Sequence, residues 1–301
     1  MNMGADVIIV GGSFAGFSAA MQLARGQREV IVIDAGEPRN RFAEASHGFF
    51  CLDGLSPGEI RRRAAEQLAS YPTARVVGGR AISAGQDGDG FSVTLETGEA
   101  YTATKLILAT GLRDELPKIP GVNERWGKTV IHCPYCHGFE LRNRKLGVMA
   151  TGPLSTHQAA IIPDWGPTTY FTQGEFMPDE EQVALLVQRG VAVENSAIVE
   201  ILGEASSITG VRLADGRIVE LEGLYIGPKA RMASMLAEQL GCELEEGPMG
   251  PAVKVDDFKR TSVTGIFAAG DISNKMHNAT FASASGVMAG VAAHRALMFG
   301  E

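Results

Sequence analysis

Unbroken apolar runs, rather than alternating ones, set the framework of this chain. Val7-Ile8-Ile9-Val10 and Val30-Ile31-Val32-Ile33 contain no polar position, the pattern of strands buried on both faces of a parallel sheet. Between them, Ala15 to about Arg25 has helical spacing, so the chain opens strand, helix, strand. Pro57 to Ser70 predicts a second helix, with Ser56 as N-cap and Pro57 at the first helical position, where its missing N–H costs nothing. Ala74–Val77 is short and extended. Residues 81–93 and 95–105 read as a β-meander, with turns at Asp87-Gly88-Asp89-Gly90 and Thr97-Gly98. Leu106-Ile107-Leu108 returns to a buried strand that stops at Ala109-Thr110-Gly111.

From Gly147 the opening pattern recurs: strand Gly147–Ala150, turn Thr151–Ser155, helix, strand Thr168–Phe171. Such an internal repeat predicts a second unit built like the first. A glycine-closed helix over 182–190 and a strand-rich stretch over 191–221 follow. The chain closes on a buried strand running from Gly265 into Gly270-Asp271, then a helix from Thr280 to Phe299 rich in Ala, Gly and Ser. Small residues there serve either close packing or approach to a ligand.

Composition narrows the class. The 301 residues, 45% apolar and 21% charged, are ordinary for a globular protein of two domains. A net charge of −8 with no basic block argues against nucleic acid and anionic membranes as partners. Arg61-Arg62-Arg63, on the predicted helix, reads as a solvated face. The sequence shows no apolar run long enough to span a membrane and no signal peptide. Four cysteines make no disulfide scaffold, so the expected location is the cytoplasm.

Three stretches carry chemistry. Gly11-Gly12-Ser13-Phe14-Ala15-Gly16 lies between the first strand and helix, and Asp34 ends the second strand. This is a dinucleotide fingerprint: Gly11 allows the tight turn, Gly16 the close helix–strand packing, and the helix N-terminus takes the pyrophosphate while Asp34 reaches a ribose. Ser13 stands where the middle glycine is usual. The second fingerprint is degraded, with Ala150, Gly152 and Ser155 at the glycine positions and Thr172-Gln173-Gly174-Glu175 after the next strand. No arginine pair is there to hold a 2′-phosphate. Either a nicotinamide cofactor binds here or the unit is a retained scaffold. The third stretch is Cys133-Pro134-Tyr135-Cys136-His137-Gly138, a pair of thiols able to cycle with a disulfide, beside a histidine that titrates near neutrality. The other reading is half a zinc site, but no second ligand pair completes it, and no metal is expected. The polar loop from Arg39 to Gly54, with Arg41 and His47, either covers a ligand or simply connects. The fold class is therefore α/β: two Rossmann-like three-layer dinucleotide-binding domains, the second inserted into the first, with a β-meander in the first.

In this order the markers resemble the low-molecular-weight thioredoxin reductases, FAD-dependent pyridine nucleotide-disulfide oxidoreductases of class II. Two positions depart: His137 stands where the reductases have an aspartate, and their phosphate-binding arginines have no counterpart near Thr172. With Ser46-His47-Gly48, the CPYCHG stretch is more similar to the dithiol oxidases that close disulfides in gliotoxin, holomycin and romidepsin. The resemblance implies an FAD-binding domain of residues 1–114 plus 249–301, and an inserted NAD(P)-binding-like domain, 115–248, carrying the cysteines. It implies FAD contacts from Gly11, Ser13, Phe14, Ala15, Gly16, Asp34, Arg41, His47, Val77, Thr110, Gly111, Gly270, Asp271, Asn278 and Ala279, and leaves NAD(P)H open. It implies Cys136 as the flavin-proximal thiol, Cys133 as the interchange thiol and His137 as the group taking the released protons. The expected partners are a small-molecule dithiol or disulfide, or a thioredoxin-like protein, and a second copy of the chain in a homodimer. The alternatives are an NADPH- or ferredoxin-linked thioredoxin reductase and a redox sensor without turnover.

Overall fold

The computed structural model describes residues 4–247 and 249–300. The chain divides into two compact units: residues 1–41, 58–113 and 230–301 form one, and 42–57 with 114–229 form the other. The sequence expectation divided the chain at 114 and 248; here residues 230–247 group with the first unit, the loop 42–57 groups with the second, and Pro248 lies outside the described residues.

The first unit is built on a seven-stranded sheet. Strand β1 (Gly4–Val10) is followed by helix α1 (Phe14–Arg25), β2 (Val30–Asp34), α2 (Pro57–Ala69) and β3 (Ala74–Gly78). The meander then supplies β4 (Ala81–Asp87), β5 (Gly90–Leu95) and β6 (Ala100–Leu108). β1 pairs in parallel with β2 and β6, and β2 with β3. The unbroken runs are explained by where alternate residues go. Ile8, Val10, Ile31 and Ile33 enter a core with Phe91, Val93, Leu95 and Leu236, whereas Val7, Ile9, Val30 and Val32 enter one with α1 and the C-terminal helix Ala279–Phe299. Each fully buried Val or Ile contributes roughly 1.5–3 kcal/mol.

Sequence reading separated the last meander strand from Leu106-Ile107-Leu108, but they are one strand. The first half of β6 pairs antiparallel with β5, and its second half pairs in parallel with Ile266–Ala268, while β1 runs along the other side of both. The small residues of the C-terminal helix serve packing. A Cβ on Gly286 would lie 2.1 Å from the Ala15 carbonyl oxygen, and one on Gly290 2.7 Å from that of Ala19. Only glycine lets the two helices cross this closely.

The second unit has a five-stranded parallel sheet, in the order Ala192–Glu194, Thr168–Phe171, Leu146–Met149, Gly223–Ile226, Val130–Ile131. One face packs on the helices through Val148, Tyr170, Tyr225 and Leu186, and the other on a three-stranded antiparallel sheet through Met149, Phe171, Ile201 and Val211. The helix expected from Gln182 begins at Glu180, because Asp179 and Gln182 form a reciprocal capping box. No helix among the described residues is long and apolar enough to cross a membrane.

Candidate functional site

In the first unit three turns open at the carboxyl ends of neighbouring parallel strands, where ligands of open α/β sheets bind. Gly11–Gly16 follows β1, Thr110-Gly111 follows β6, and Gly270-Asp271 follows Ile266–Ala268. Gly11 has φ +111°, and a Cβ there would sit 2.1 Å from the Ala109 carbonyl oxygen; one on Gly16 would sit 1.7 Å from that of Gly11. The turn therefore closes only with glycine at both positions. Ser13 is the N-cap of α1 and its hydroxyl makes no capping bond, so the positive end of a 12-residue helix faces the turn. Val77 lies at the end of β3, and Asp34 at the end of β2 beside it.

Both Asp34 oxygens are held: one accepts the Gly12 N–H at 3.1 Å and the other pairs with Arg61. Each retains a lone pair for a ribose hydroxyl. The solvated basic face that the sequence predicts over Arg61-Arg62-Arg63 does not extend to Arg61, which turns to Asp34 and Gly12. Arg62 and Arg63 do pair with Glu59 and Glu66 on the surface, but Arg61 also donates to the Gly12 carbonyl oxygen at 3.1 Å. Pro57, Ile60, Arg61, Ala64 and Leu68 share one helical face, a periodicity that singles Arg61 out from its neighbours. Gly270 donates its N–H to Ser285 Oγ at 2.7 Å, and Asp271 pairs with Arg39 at 3.0 Å. Asn278 caps the C-terminal helix, which begins at Ala279, by accepting the Thr280 N–H. These residues fit the diphosphate and ribose of a dinucleotide. Arg41 is exposed and donates to the Pro38 carbonyl oxygen.

The dithiol lies in the second unit. Cys133 and Cys136 form a disulfide, with Cα atoms 5.3 Å apart. Cys133 is the N-cap of the turn of helix Pro134–His137, and Pro134 takes its first position. Gly138 donates to the Pro134 carbonyl oxygen at 2.7 Å and lies against Trp165, whose ring meets that of Tyr135 edge-on with centroids 5.6 Å apart. The His137 ring nitrogens are buried and neither has a hydrogen-bond partner among the described residues. Burial holds this imidazole below its ordinary pKa, Glu140 opposes the shift and His47 adds to it. His137 is thus held neutral, with a lone pair to accept a proton.

His47, expected among the cofactor contacts, belongs to the same compact unit as the dithiol. Its Nδ1 is 3.5 Å from Asp53 and its Nε2 3.6 Å from Glu140. Asp53 is itself held by the Gly48 N–H at 2.7 Å, a bond within the loop, while the Glu140 contact reaches the stretch that follows the cysteines. Sequence reasoning had no periodicity in 42–57 from which to place this loop. Of the remaining cysteines, Cys51 is exposed and Cys242 is buried, with its thiol pushed up by burial.

The second fingerprint is folded onto itself. Ser155 Oγ accepts the N–H groups of Thr151 and Gly152 at 3.0 and 3.3 Å, and the Thr151 hydroxyl donates to the Gly227 carbonyl oxygen. Thr172 is fully buried, and Gln173 accepts the Ile198 N–H at 2.8 Å. The N–H groups of Thr151 and Gly152 and the side chains of Thr172 and Gln173 are thus engaged within the protein.

Residues 5–286 match the family described as pyridine nucleotide-disulphide oxidoreductase. Thioredoxin reductase tcpT of Claviceps purpurea is 34% identical over 97% of this chain and 94% of its own. The crystal structure of an oxidoreductase from Agrobacterium tumefaciens superposes over 100% of both chains with a TM-score of 0.94 at 49% identity. That of HlmI covers 98% of this chain and 93% of its own, with a TM-score of 0.91 at 32% identity. With its glycine cradle and its Cys133–Cys136 pair, the chain belongs to the pyridine nucleotide-disulphide oxidoreductase family, as an FAD-dependent disulfide oxidoreductase of the thioredoxin reductase-like kind.

Proposed function

We propose that the protein oxidises a small dithiol to a disulfide, and that dithiol rather than NADPH is its electron donor. The observation that carries this reading is the closed second fingerprint. Its turn N–H groups are bound by Ser155, and Thr172 and Gln173 offer no cation to a 2′-phosphate. Charge-assisted arginine contacts are among the stronger ones in such sites, and the absence of two costs about 3 kcal/mol, roughly a hundredfold in affinity.

In this reading a substrate thiolate attacks Cys133, forming a mixed disulfide and releasing Cys136 as thiolate. The second substrate thiol resolves it, so the substrate leaves as a disulfide and the protein holds a dithiol. His137, neutral and beside Cys136, accepts a proton released in the exchange. His47, between Asp53 and Glu140, orders the loop next to it. FAD, held by the glycine turns and Asp34 of the first unit, supplies the capacity to take up the electron pair from Cys136. An external acceptor, dioxygen in the simplest case, then receives it. The substrate in this reading is a small dithiol, and the working form is a cytoplasmic homodimer.

Aerobic turnover of dithiothreitol without nicotinamide cofactor, followed by thiol loss and oxygen uptake, tests this reading. Sustained turnover that stops in Cys136→Ser supports it. Turnover only of a protein disulfide with NADPH supplied would instead make the chain an NADPH-linked thioredoxin reductase.

A further inference from the structure

A base that takes up a proton in every turnover has to lose it again, and His137 is poorly placed to do so alone. Both of its ring nitrogens are buried and have no hydrogen-bond partner among the described residues. Beyond the dominant effect of burial, a charge on Glu140 favours a proton on His137 and a charge on His47 opposes one, so the three groups lie within electrostatic reach of one another. His47 Nε2 is 3.6 Å from Glu140 Oε1, and its Nδ1 is 3.5 Å from Asp53 Oδ2. The loop that carries His47 lies against the redox turn, since a Cβ on Gly48 would come 4.0 Å from the carbonyl oxygen of Tyr135, between the two cysteines. Exposure rises along this chain of groups. The His47 side chain is 24% exposed, Glu140 43% and Asp53 66%. Tyr225 also senses Glu140, but burial, with that charge, pushes its phenol up, so it stays neutral in the working range.

We infer that Glu140 and His47 form a proton relay that empties His137 to solvent at Asp53. The inference rests on the proposed role of His137 as the base of the exchange. The proton lost by the substrate thiol goes to a His137 ring nitrogen, then to the Glu140 carboxylate, directly or through one water. His47 takes it at Nε2 and becomes an imidazolium between two carboxylates, where its charge is favoured. It then releases a proton from Nδ1 on the Asp53 side. No electron moves in these steps, and each proton taken from substrate appears in solvent. His47 is therefore a positioning and relay residue that touches neither sulfur chemistry nor flavin. An imidazole suits the task because its ordinary pKa, ~6.5, lets it load and unload near neutrality.

Reduction of the Cys133–Cys136 disulfide by dithiothreitol in the FAD-loaded protein, followed by acid quenching and thiol counting at low buffer concentration, tests the relay. The parent rate is expected to be independent of buffer concentration. His47→Ala is expected to be about tenfold slower, one factor of ten below the lower end of what a directly positioned acid–base group contributes. The dithiothreitol concentration giving half the maximal rate is expected to be unchanged, and the rate in heavy water to fall further than the parent's. Added imidazole, for which the alanine leaves room, is expected to restore the rate. Thermal melting reports whether the variant is folded, and Glu140→Gln, which keeps the shape of the side chain and removes its proton affinity, is expected to show the same slowing and buffer dependence if His47→Ala is not. Parent-like rates in the folded variants would overturn the inference, as would a slow His47→Ala that neither imidazole nor buffer recovers, because that is the mark of a structural role. Failure of dithiothreitol to reduce the parent would defeat the dithiol-donor reading instead. A relay carries protons in either direction, so NADPH-driven disulfide reduction by the same variants then decides it by the same two signs.

Discussion

Gly138 closes the turn that carries both cysteines, so Gly138→Ala perturbs the dithiol without removing any reacting atom. Its φ of −66° suits any residue, so the effect is steric. A Cβ here would lie 2.5 Å from the Pro134 carbonyl oxygen and 2.8 Å from the Trp165 ring. Ordinary contact begins at 3.4 Å, so the carbonyl has to withdraw by about 0.9 Å and the ring by about 0.6 Å. The carbonyl cannot move alone, because it accepts the Gly138 N–H and its residue directly follows Cys133. Overpacking of this kind costs about 1–3 kcal/mol, and each kcal/mol lowers Tm by roughly 2–4 °C in domains somewhat larger than this unit. Because the movement falls between the two sulfurs, the dithiol–disulfide equilibrium is expected to shift about tenfold, or 30 mV. Thermal melting and equilibration against a glutathione buffer read the two effects. An alanine variant with the parent's Tm and equilibrium would refute the reasoning that this glycine shapes the redox turn.

Cys136→Ser is expected to abolish electron transfer from dithiol to flavin, and Cys133→Ser to leave a Cys136 thiolate beside oxidised flavin with a broad charge-transfer band; equal turnover in Cys136→Ser contradicts the assignment. Because burial lowers the His137 pKa in the folded protein, the unfolded chain binds a proton that the folded site refuses. Stability from this group is therefore present above ~6.5, the unfolded value, and is lost as pH falls towards the lower folded pKa. Denaturant unfolding of parent and His137→Gln is expected to show a shallower acid loss in the variant, and matching pH slopes count against it. Gly16→Ala forces a Cβ to 1.7 Å from the Gly11 carbonyl oxygen, so the purified variant is expected to lack the 450 nm flavin absorbance; full FAD occupancy would show that the turn tolerates a side chain.

Much of this was legible because the decisive signals are local. Val7–Val10 and Val30–Ile33 announce a doubly covered parallel sheet in their own letters, and Gly11 and Gly16 mark a turn that the backbone makes only with glycine. The spacing of Cys133 and Cys136 places two sulfurs within bonding reach wherever the turn sits. Residues whose role depends on a distant partner were illegible. Arg61 resembles Arg62 until Asp34 is found opposite it, and His47 sits in a loop whose position is set by Asp53 and Glu140. The central strand Gly223–Ile226 was missed because its short run follows a strand-rich stretch without a turn signal, and parallel pairing to Leu146–Met149 is wholly non-local. β6 was cut in two because its amphipathic half faces the meander and its apolar half lies between β1 and Ile266–Ala268.

Anaerobic stopped-flow mixing of the oxidised, FAD-loaded protein with dithiothreitol, NADPH or NADH, read as loss of flavin absorbance near 450 nm, tests the central claim most directly. NADH belongs in the comparison because Glu175 follows the same strand and carries the carboxylate that ribose hydroxyls require. The account predicts rapid bleaching by dithiothreitol, none in Cys136→Ser, and slow or absent bleaching by NADPH. Rapid bleaching by micromolar NADPH would contradict it.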